Sequence, residues 1–178
     1  MCPSKVAEGA ARGWLVPIGG AEDKGRDARI LRRFVALAGG KAARIAVIPT
    51  ASQSREAGPR YEQLFDELGA RQVEVLDFGT RRDGQDRARL ARIEQASAIF
   101  FTGGNQLRLS TLLGGTPAAQ LIRARNAAGI PVGGTSAGAA ILSEHMIAFG
   151  REGAAPQADS VRLAPCLLYT SDAADDLL

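Results

Sequence analysis

A serine lies at the centre of the segment Gly134–Gly138, which reads Gly-Thr-Ser-Ala-Gly and fits the G-x-S-x-G pattern of a nucleophile elbow. An apolar segment precedes it, and a small-residue helix is predicted to follow it at Ala139–Leu142. In so sharp a turn, side chains at Gly134 or Gly138 are expected to collide with neighbouring backbone. Ser136 is therefore predicted to be a nucleophile. The alternative is a strand-to-helix turn in which the serine only caps the helix.

An attacking serine also needs groups that stabilise the negative charge developing on the carbonyl oxygen. The segment Gly103–Gln106 follows the preceding apolar segment, so in a parallel sheet it can lie beside the elbow. We expect the backbone N–H groups of Gly104 and Ala137 to converge on one oxygen as an oxyanion hole, each contributing about 3 kcal/mol. The start of the helix after Ser136 is expected to add the positive end of its dipole.

Two amide side chains follow these glycines. Asn105 and Gln106 are predicted to point at the substrate. Asn105 also fits the N-cap of a helix that runs through Leu109, and the two roles are compatible.

A serine nucleophile requires a base, normally a histidine held by a carboxylate. The sequence has one histidine, His145, nine positions after Ser136. Along a continuous helix, a rise of 1.5 Å per residue would separate the two by roughly 13 Å. His145 is therefore interpreted as a structural or surface residue.

Short apolar segments alternate with longer segments of helical periodicity, an order typical of a parallel sheet. Their β-branched and apolar content indicates strands that are covered on both faces. The predicted strands are Trp14–Ile18, Arg44–Ile48, Gln72–Leu76, Ala98–Phe101 and Ile130–Gly133. Because ligands bind at the carboxyl ends of such strands, the loops beginning at Gly19, Pro49, Thr102 and Gly133 are expected to share one edge of the sheet.

Two of the intervening helices are predicted from apolar residues at three- and four-residue spacing. The residues expected to face the sheet are Ile30, Phe34 and Leu37 in the first helix and Tyr61, Leu64, Phe65 and Leu68 in the second. Glycines at 39, 40 and 69 are expected to end these helices.

Composition excludes several classes of protein. With 178 residues, 46% hydrophobic and 23% charged, the chain has the composition of a globular domain rather than of a disordered or fibrous one. Apolar segments fall well short of the roughly 20 residues of a membrane span, and the N-terminus lacks a signal-peptide pattern. A cytoplasmic protein with no membrane partner is expected.

Charge and cysteine content predict no further ligand. The net charge is only +3, and no aromatic residues lie between the clustered arginines to stack on bases, so no nucleic-acid partner is predicted. These arginines have the spacing of solvated helix faces: Arg26, Arg29, Arg32, Arg33, Arg87, Arg89 and Arg92. Cys2 and Cys166 form no metal-type spacing, and neither a metal nor another cofactor is predicted.

The sequence resembles the cyanophycinase and aspartyl dipeptidase (peptidase E) group of serine exopeptidases, and cyanophycinase more closely. The resemblance covers about residues 14–165 and rests on Gly19–Lys24, Ile48–Ser52, Phe101–Gln106 and Gly134–Ala139, in the family's order. It implies a three-layer α/β fold of the class I glutamine-amidotransferase-like (flavodoxin-like) type, with helices on both faces of a mostly parallel sheet. It also implies a homodimer and a peptide substrate: Ser136 would cleave the Asp-Arg polymer cyanophycin to β-Asp-Arg dipeptides.

After Pro165 the sequence departs from this family. The family's catalytic histidine lies in an Asp-Gln-His segment after a Gly-Leu-Gly-Leu stretch, followed by an arginine-rich helix and a triad glutamate, and this sequence contains none of them. Residues 166–178 resemble translated sequencing adapter and are expected to be a non-native tail. Residues 14–165 are then expected to be the N-terminal part of a single hydrolase-type domain, inactive in this form.

Other interpretations stay open: an aspartyl dipeptidase of the same family, an α/β-hydrolase esterase or amidotransferase-like hydrolase, and a non-catalytic glutamine-amidotransferase-like domain. Against the esterase, no His-Gly-Gly motif occurs early in the chain; against the amidotransferase, the elbow carries serine instead of cysteine. Glu22 and Asp23 are candidates to bind an arginine of the substrate, although a salt bridge to Lys24 or Arg26 is favoured.

Overall fold

A parallel sheet forms the centre of the protein. The computed structural model describes residues 4–25, 27–150 and 161–165. Its five-stranded sheet has the order β1-β5-β4-β2-β3, and all neighbours are parallel. The strands are β1 (Leu15–Ile18), β2 (Arg44–Ile48), β3 (Gln72–Val75), β4 (Ala98–Phe101) and β5 (Val132–Thr135). Strands β4 and β5 are buried throughout, as expected for strands covered on both faces.

Helices cover both faces of this sheet. They are α1 (Arg29–Leu37), α2 (Ala57–Glu67), α3 (Arg87–Gln95), α4 (Gln106–Leu113), α5 (Pro117–Ala127) and α6 (Ala137–Ala140), with short 3-10 helices at Gly40–Ala42 and Arg81–Gln85. An antiparallel hairpin follows, formed by β6 (His145–Gly150) and β7 (Val161–Pro165). None of the described helices has the length and hydropathy that a bilayer crossing requires.

Side chains that alternate in direction along the strands divide the interior into two cores. In β2, Ile45 and Val47 pack with α1 and α2, whereas Ala46 and Ile48 pack with α3 to α6. The same alternation in β4 sends Phe100 to the first core and Phe101 to the second. Side chains that point to opposite faces at every step produce this division. The result is the three-layer α/β fold that the sequence predicts.

Three predicted details are wrong, and the first is the position of β5. The strand runs to Thr135 instead of ending at Gly133. Its glycines pair with β1, although glycines at these positions predict a turn. Gly133 has a packing reason to lack a side chain: a methyl group there would lie 2.7 Å from the ring of Phe34 and 3.2 Å from that of Phe100.

The other two corrections concern helices. In α1 the buried face is shifted by one residue, with Leu31, Phe34 and Val35 inside and Ile30 51% exposed. The helix after Ser136 is a single turn, and His145 begins a strand, so the helical distance between the two residues does not apply.

Other local predictions are confirmed. Tyr61, Leu64 and Phe65 of α2 are buried, and α1 and α2 end just before Gly39 and Gly69, both with positive φ. The described arginines of α1 and α3 lie on outer faces, with Arg92 paired to Glu74 at 2.6 Å. The predictions for Arg26, for both cysteines and for residues 166–178 lie outside the described residues.

Candidate active site

Ser136 lies between the end of β5 and the start of α6, in a strained backbone conformation. Its φ of 52° and ψ of −113° are rarely adopted by residues with side chains. The residue is exposed, whereas Thr135 and Ala137 on either side are buried. The turn therefore presents residue 136 to solvent at the carboxyl edge of the sheet.

The two glycines of the elbow are required by close backbone packing, as predicted. A methyl group at Gly134 would lie 2.3 Å from the carbonyl oxygen of Gly138, and one at Gly138 would lie 2.4 Å from the carbonyl oxygen of Phe101. Both distances are far below van der Waals contact, so the turn admits only glycine at these positions.

The turn after β4 lies directly beside the elbow. A methyl group at Gly103 would lie 3.3 Å from Cβ and 3.9 Å from Oγ of Ser136. Gly104, with φ of 143°, lies against the loop after β2, where a methyl group would be 2.1 Å from the carbonyl oxygen of Ala51. That same carbonyl accepts the N–H of Asn105 at 2.8 Å. The structure thus brings the two predicted turns together at one edge.

The described residues provide no hydrogen-bond acceptor for the backbone N–H groups of Gly104 and Ala137. No described residue accepts a hydrogen bond from the N–H of Gly104. Ala137 is the first residue of α6, and first-turn amides have no acceptor within their helix. Because α6 is one turn long, a helix dipole contributes less here than the sequence predicts. The groups available to an oxyanion are therefore individual amides.

Asn105 and Gln106 are both engaged in structural hydrogen bonds. Asn105 Oδ1 accepts the N–H of Leu107 at 2.9 Å, which confirms that Asn105 is the N-cap of α4. Gln106 Nε2 donates to the carbonyl of Ile147 in β6 at 2.6 Å. The side-chain nitrogen of Gln106 is thus directed at the hairpin, while Asn105 remains exposed at the edge.

The loop after β1 forms the other wall beside Ser136. A methyl group at Gly20 would lie 3.2 Å from Cβ and 3.7 Å from Oγ of Ser136. Two residues later, the side chain of Glu22 is only 1% exposed and pairs with Lys24 at 2.7 Å. The favoured salt bridge is therefore present, and the carboxylate of Glu22 is not free to bind a substrate arginine.

Glu22 has two further hydrogen-bond donors. The hydroxyl of Tyr61 donates to Oε1, and the hydroxyl of Thr135 donates to Oε2 at 2.5 Å. Burial alone raises the pKa of Glu22, but hydrogen bonds from Lys24, Thr135 and Tyr61 outweigh it and hold the pKa below the ordinary 4.5. Burial and the bond to Glu22 raise the pKa of Tyr61. Sequence reasoning assigned Tyr61 to the core and missed this network, because its members are separated in sequence by up to 113 positions.

This network predicts a defined acid dependence of stability. Because the pKa of Glu22 is lowered on folding, its stabilisation is complete above the ordinary value and is lost as the pH falls through the lowered one. We expect the difference in unfolding free energy between wild type and Glu22→Gln to be largest at neutral pH and to shrink below about pH 4.5. Urea unfolding between pH 7 and pH 3 measures it. Glu94→Gln, an exposed change in α3, is the control that keeps the network. A difference that stays constant with pH would contradict the assignment.

An open cleft of about 240 Å³ lies next to the elbow. Its lining includes Gly103, which contacts Ser136, and the polar side chains Lys24, Ser54, Glu56 and Arg60. Cationic and anionic groups therefore border the space beside the nucleophile candidate. His145 is exposed at the start of β6, and no group of three His, Cys, Asp or Glu among the described residues is arranged to hold a metal ion.

Comparison with known proteins places this geometry in a family. Residues 15–164 match the model of peptidase family S51. The cyanophycinase of Geminocystis herdmanii is 46% identical over 155 residues, which are 86% of this chain and 57% of the relative; that of Synechococcus elongatus is 45% identical, with 86% and 48% covered. The structure of a peptidase from an acI-B1 Actinobacterium superposes with a TM-score of 0.62 at 28% identity, over 76% of this chain and 59% of that one. The chain spans about half the length of the curated relatives it matches. It belongs to peptidase family S51.

Proposed function

We propose that the protein is a cyanophycinase-like serine exopeptidase in which Ser136 is the nucleophile. The observation that carries the proposal is the strained, exposed Ser136, which lies between Gly20 and Gly103 at the carboxyl edge of the sheet. A nucleophile elbow holds its serine in this way so that the hydroxyl reaches a substrate carbonyl. Identity of 46% to a cyanophycinase supports the Asp-Arg polymer as substrate over an aspartyl dipeptide.

In the proposed reaction, Ser136 Oγ attacks the carbonyl carbon of an aspartyl bond and transfers its proton to a base. The N–H groups of Gly104 and Ala137 hold the negative oxygen of the tetrahedral intermediate. When the intermediate collapses, the C–N bond breaks, the amine leaves with the proton from the base, and an acyl-enzyme remains. Water then hydrolyses the ester and regenerates Ser136.

The base is proposed to be a histidine outside the described residues. The two matches cover 57% and 48% of these relatives, so each relative contains a long stretch without a counterpart here. We propose that the complete gene product supplies the histidine and its acidic partner from that stretch. Without that base, the 178-residue chain is expected to form no acyl-enzyme and to show no turnover. Its cytoplasmic location, its dimeric state and the absence of a cofactor remain predictions.

Assays with three substrate classes test the proposal. The complete gene product is incubated with cyanophycin, with an aspartyl dipeptide and with a p-nitrophenyl ester, and the products are identified by mass spectrometry. We expect release of β-Asp-Arg dipeptides from cyanophycin as the dominant reaction. Hydrolysis of the dipeptide alone would favour the aspartyl dipeptidase, and hydrolysis of the ester alone would favour an esterase. No turnover of any of the three would favour a non-catalytic domain.

A further inference from the structure

The carboxylate of Glu22 joins three parts of the fold behind the elbow. Its side chain is 1% exposed and has donors from its own loop, from α2 and from the last residue of β5. Such a buried carboxylate is costly unless its partners satisfy both oxygens. Lys24 and Tyr61 bind Oε1, and Thr135 binds Oε2, so both oxygens are satisfied.

The network also connects two strained turns. Among the described residues, the non-glycine residues with positive φ are Ala21, at 48°, and Ser136, at 52°. Glu22 directly follows the first, and Thr135 directly precedes the second. The hydrogen bond from Thr135 to Glu22 therefore ties one strained turn to the other. Strain of this kind is unfavourable and persists only where the surroundings enforce it.

Backbone hydrogen bonds also restrain Ser136. Its N–H donates to the carbonyl of Ile18 at 2.9 Å. Its carbonyl accepts the N–H groups of Ala139 and Ala140 at 2.9 and 3.0 Å. The side-chain hydrogen bond from Thr135 to Glu22 lies directly before Ser136 in the chain and holds the turn from the side of the sheet.

We infer that Glu22 is a positioning residue: through Thr135 it holds the strained elbow in the conformation that presents Ser136. The effect of Glu22 on reaction rate rests on the proposed function. The restraint that Glu22 places on the elbow is independent of that function. Because the side chain of Glu22 is only 1% exposed, its proposed role is to act through Thr135 and not by touching substrate.

The two hydroxyl donors of Glu22 provide a matched pair of variants. Tyr61→Phe removes the bond from α2, and its ring contacts with Phe65 and Phe100 can persist. Thr135→Val removes the bond next to Ser136 with little change in shape. If Glu22 only stabilises the fold, the two variants should affect the elbow to a similar extent. If Glu22 positions the elbow, Thr135→Val should loosen it and Tyr61→Phe should not. Thr135→Ser keeps a hydroxyl and is the conservative rescue.

Amide hydrogen exchange on the 178-residue chain tests the restraint. The N–H groups of Ala139 and Ala140 report on the elbow because both bind the carbonyl of Ser136, and Val47 in the buried strand β2 reports on global opening. Relative to Val47, we expect the two elbow amides to exchange about tenfold faster in Thr135→Val, within twofold of wild type in Tyr61→Phe, and near wild type in Thr135→Ser. Equal exchange in the valine and phenylalanine variants would overturn the inference.

Kinetics of the complete gene product separate this inference from the proposed function. We expect Thr135→Val to lower kcat on cyanophycin about tenfold with KM within twofold, since the buried residue 135 does not meet substrate, and Thr135→Ser to restore kcat. An active wild type with an unchanged Thr135→Val would overturn the positioning role alone. An inactive wild type whose elbow amides still exchange faster in Thr135→Val would overturn the proposed function and leave the positioning of residue 136 supported.

Discussion

Replacement of Ser136 by alanine is expected to lower kcat on cyanophycin by about a million-fold in the complete gene product, because removal of a nucleophilic serine removes the covalent route altogether. Because the side chain of Ser136 is exposed, the thermal unfolding midpoint is expected to stay within about 2 °C of wild type. Release of β-Asp-Arg dipeptides measures the first quantity, and calorimetry measures the second.

Ser143→Ala is the control for this experiment. Ser143 is an exposed serine seven positions further along, and its hydroxyl binds the carbonyls of Ala140 and His145. This change removes a nearby hydroxyl and keeps the elbow, so turnover is expected within about threefold of wild type. Retention of more than a hundredth of wild-type turnover by Ser136→Ala would exclude Ser136 as the nucleophile.

Gly104→Ala is expected to lower kcat by about 100- to 1000-fold, the usual effect of losing one oxyanion donor. The new methyl group would lie 2.1 Å from the carbonyl oxygen of Ala51, so the turn must move and displace the N–H of Gly104, the proposed oxyanion donor. Because the same displacement disturbs the bond from Asn105 to Ala51, the unfolding midpoint is expected to fall as well. Steady-state kinetics well below that midpoint isolate the effect on kcat.

Gly69→Ala controls for backbone strain in this comparison. Gly69 also has positive φ, at 89°, but apart from its chain neighbours no atom of the described residues lies within 4 Å of the added methyl group, and it follows α2 away from the elbow. We expect it to lower stability while kcat stays within about twofold of wild type. If Gly104→Ala keeps kcat within threefold, the N–H of Gly104 does not stabilise the oxyanion.

The sheet and the elbow are predictable from sequence because their signals are local. Apolar segments such as Arg44–Ile48 and Ala98–Phe101 match the observed strands, since burial on both faces selects continuous apolar runs. The elbow is recognisable because close backbone approach leaves Gly134 and Gly138 no alternative to glycine. In both cases the residues that determine the local structure lie within one short segment of the sequence.

The remaining features depend on partners distant in sequence. Strand β5 extends through Gly134 because β1 supplies its hydrogen bonds, although glycine alone indicates a turn. The buried face of α1 is decided by contacts with other elements: Phe34 meets Phe65 of α2 and Phe100 of β4, and Ile30 is left outside. The Glu22 network depends on Thr135, 113 positions away, and no local pattern marks that pairing.

The backbone of two glycines flanks Ser136 at close range, with Gly20 on one side and Gly103 on the other. Few substitutions can therefore be introduced within touching distance of its hydroxyl without moving the backbone. Under the proposed function, changes of substrate preference are best sought at the cleft positions Ser54, Glu56 and Arg60, where the side chains are exposed.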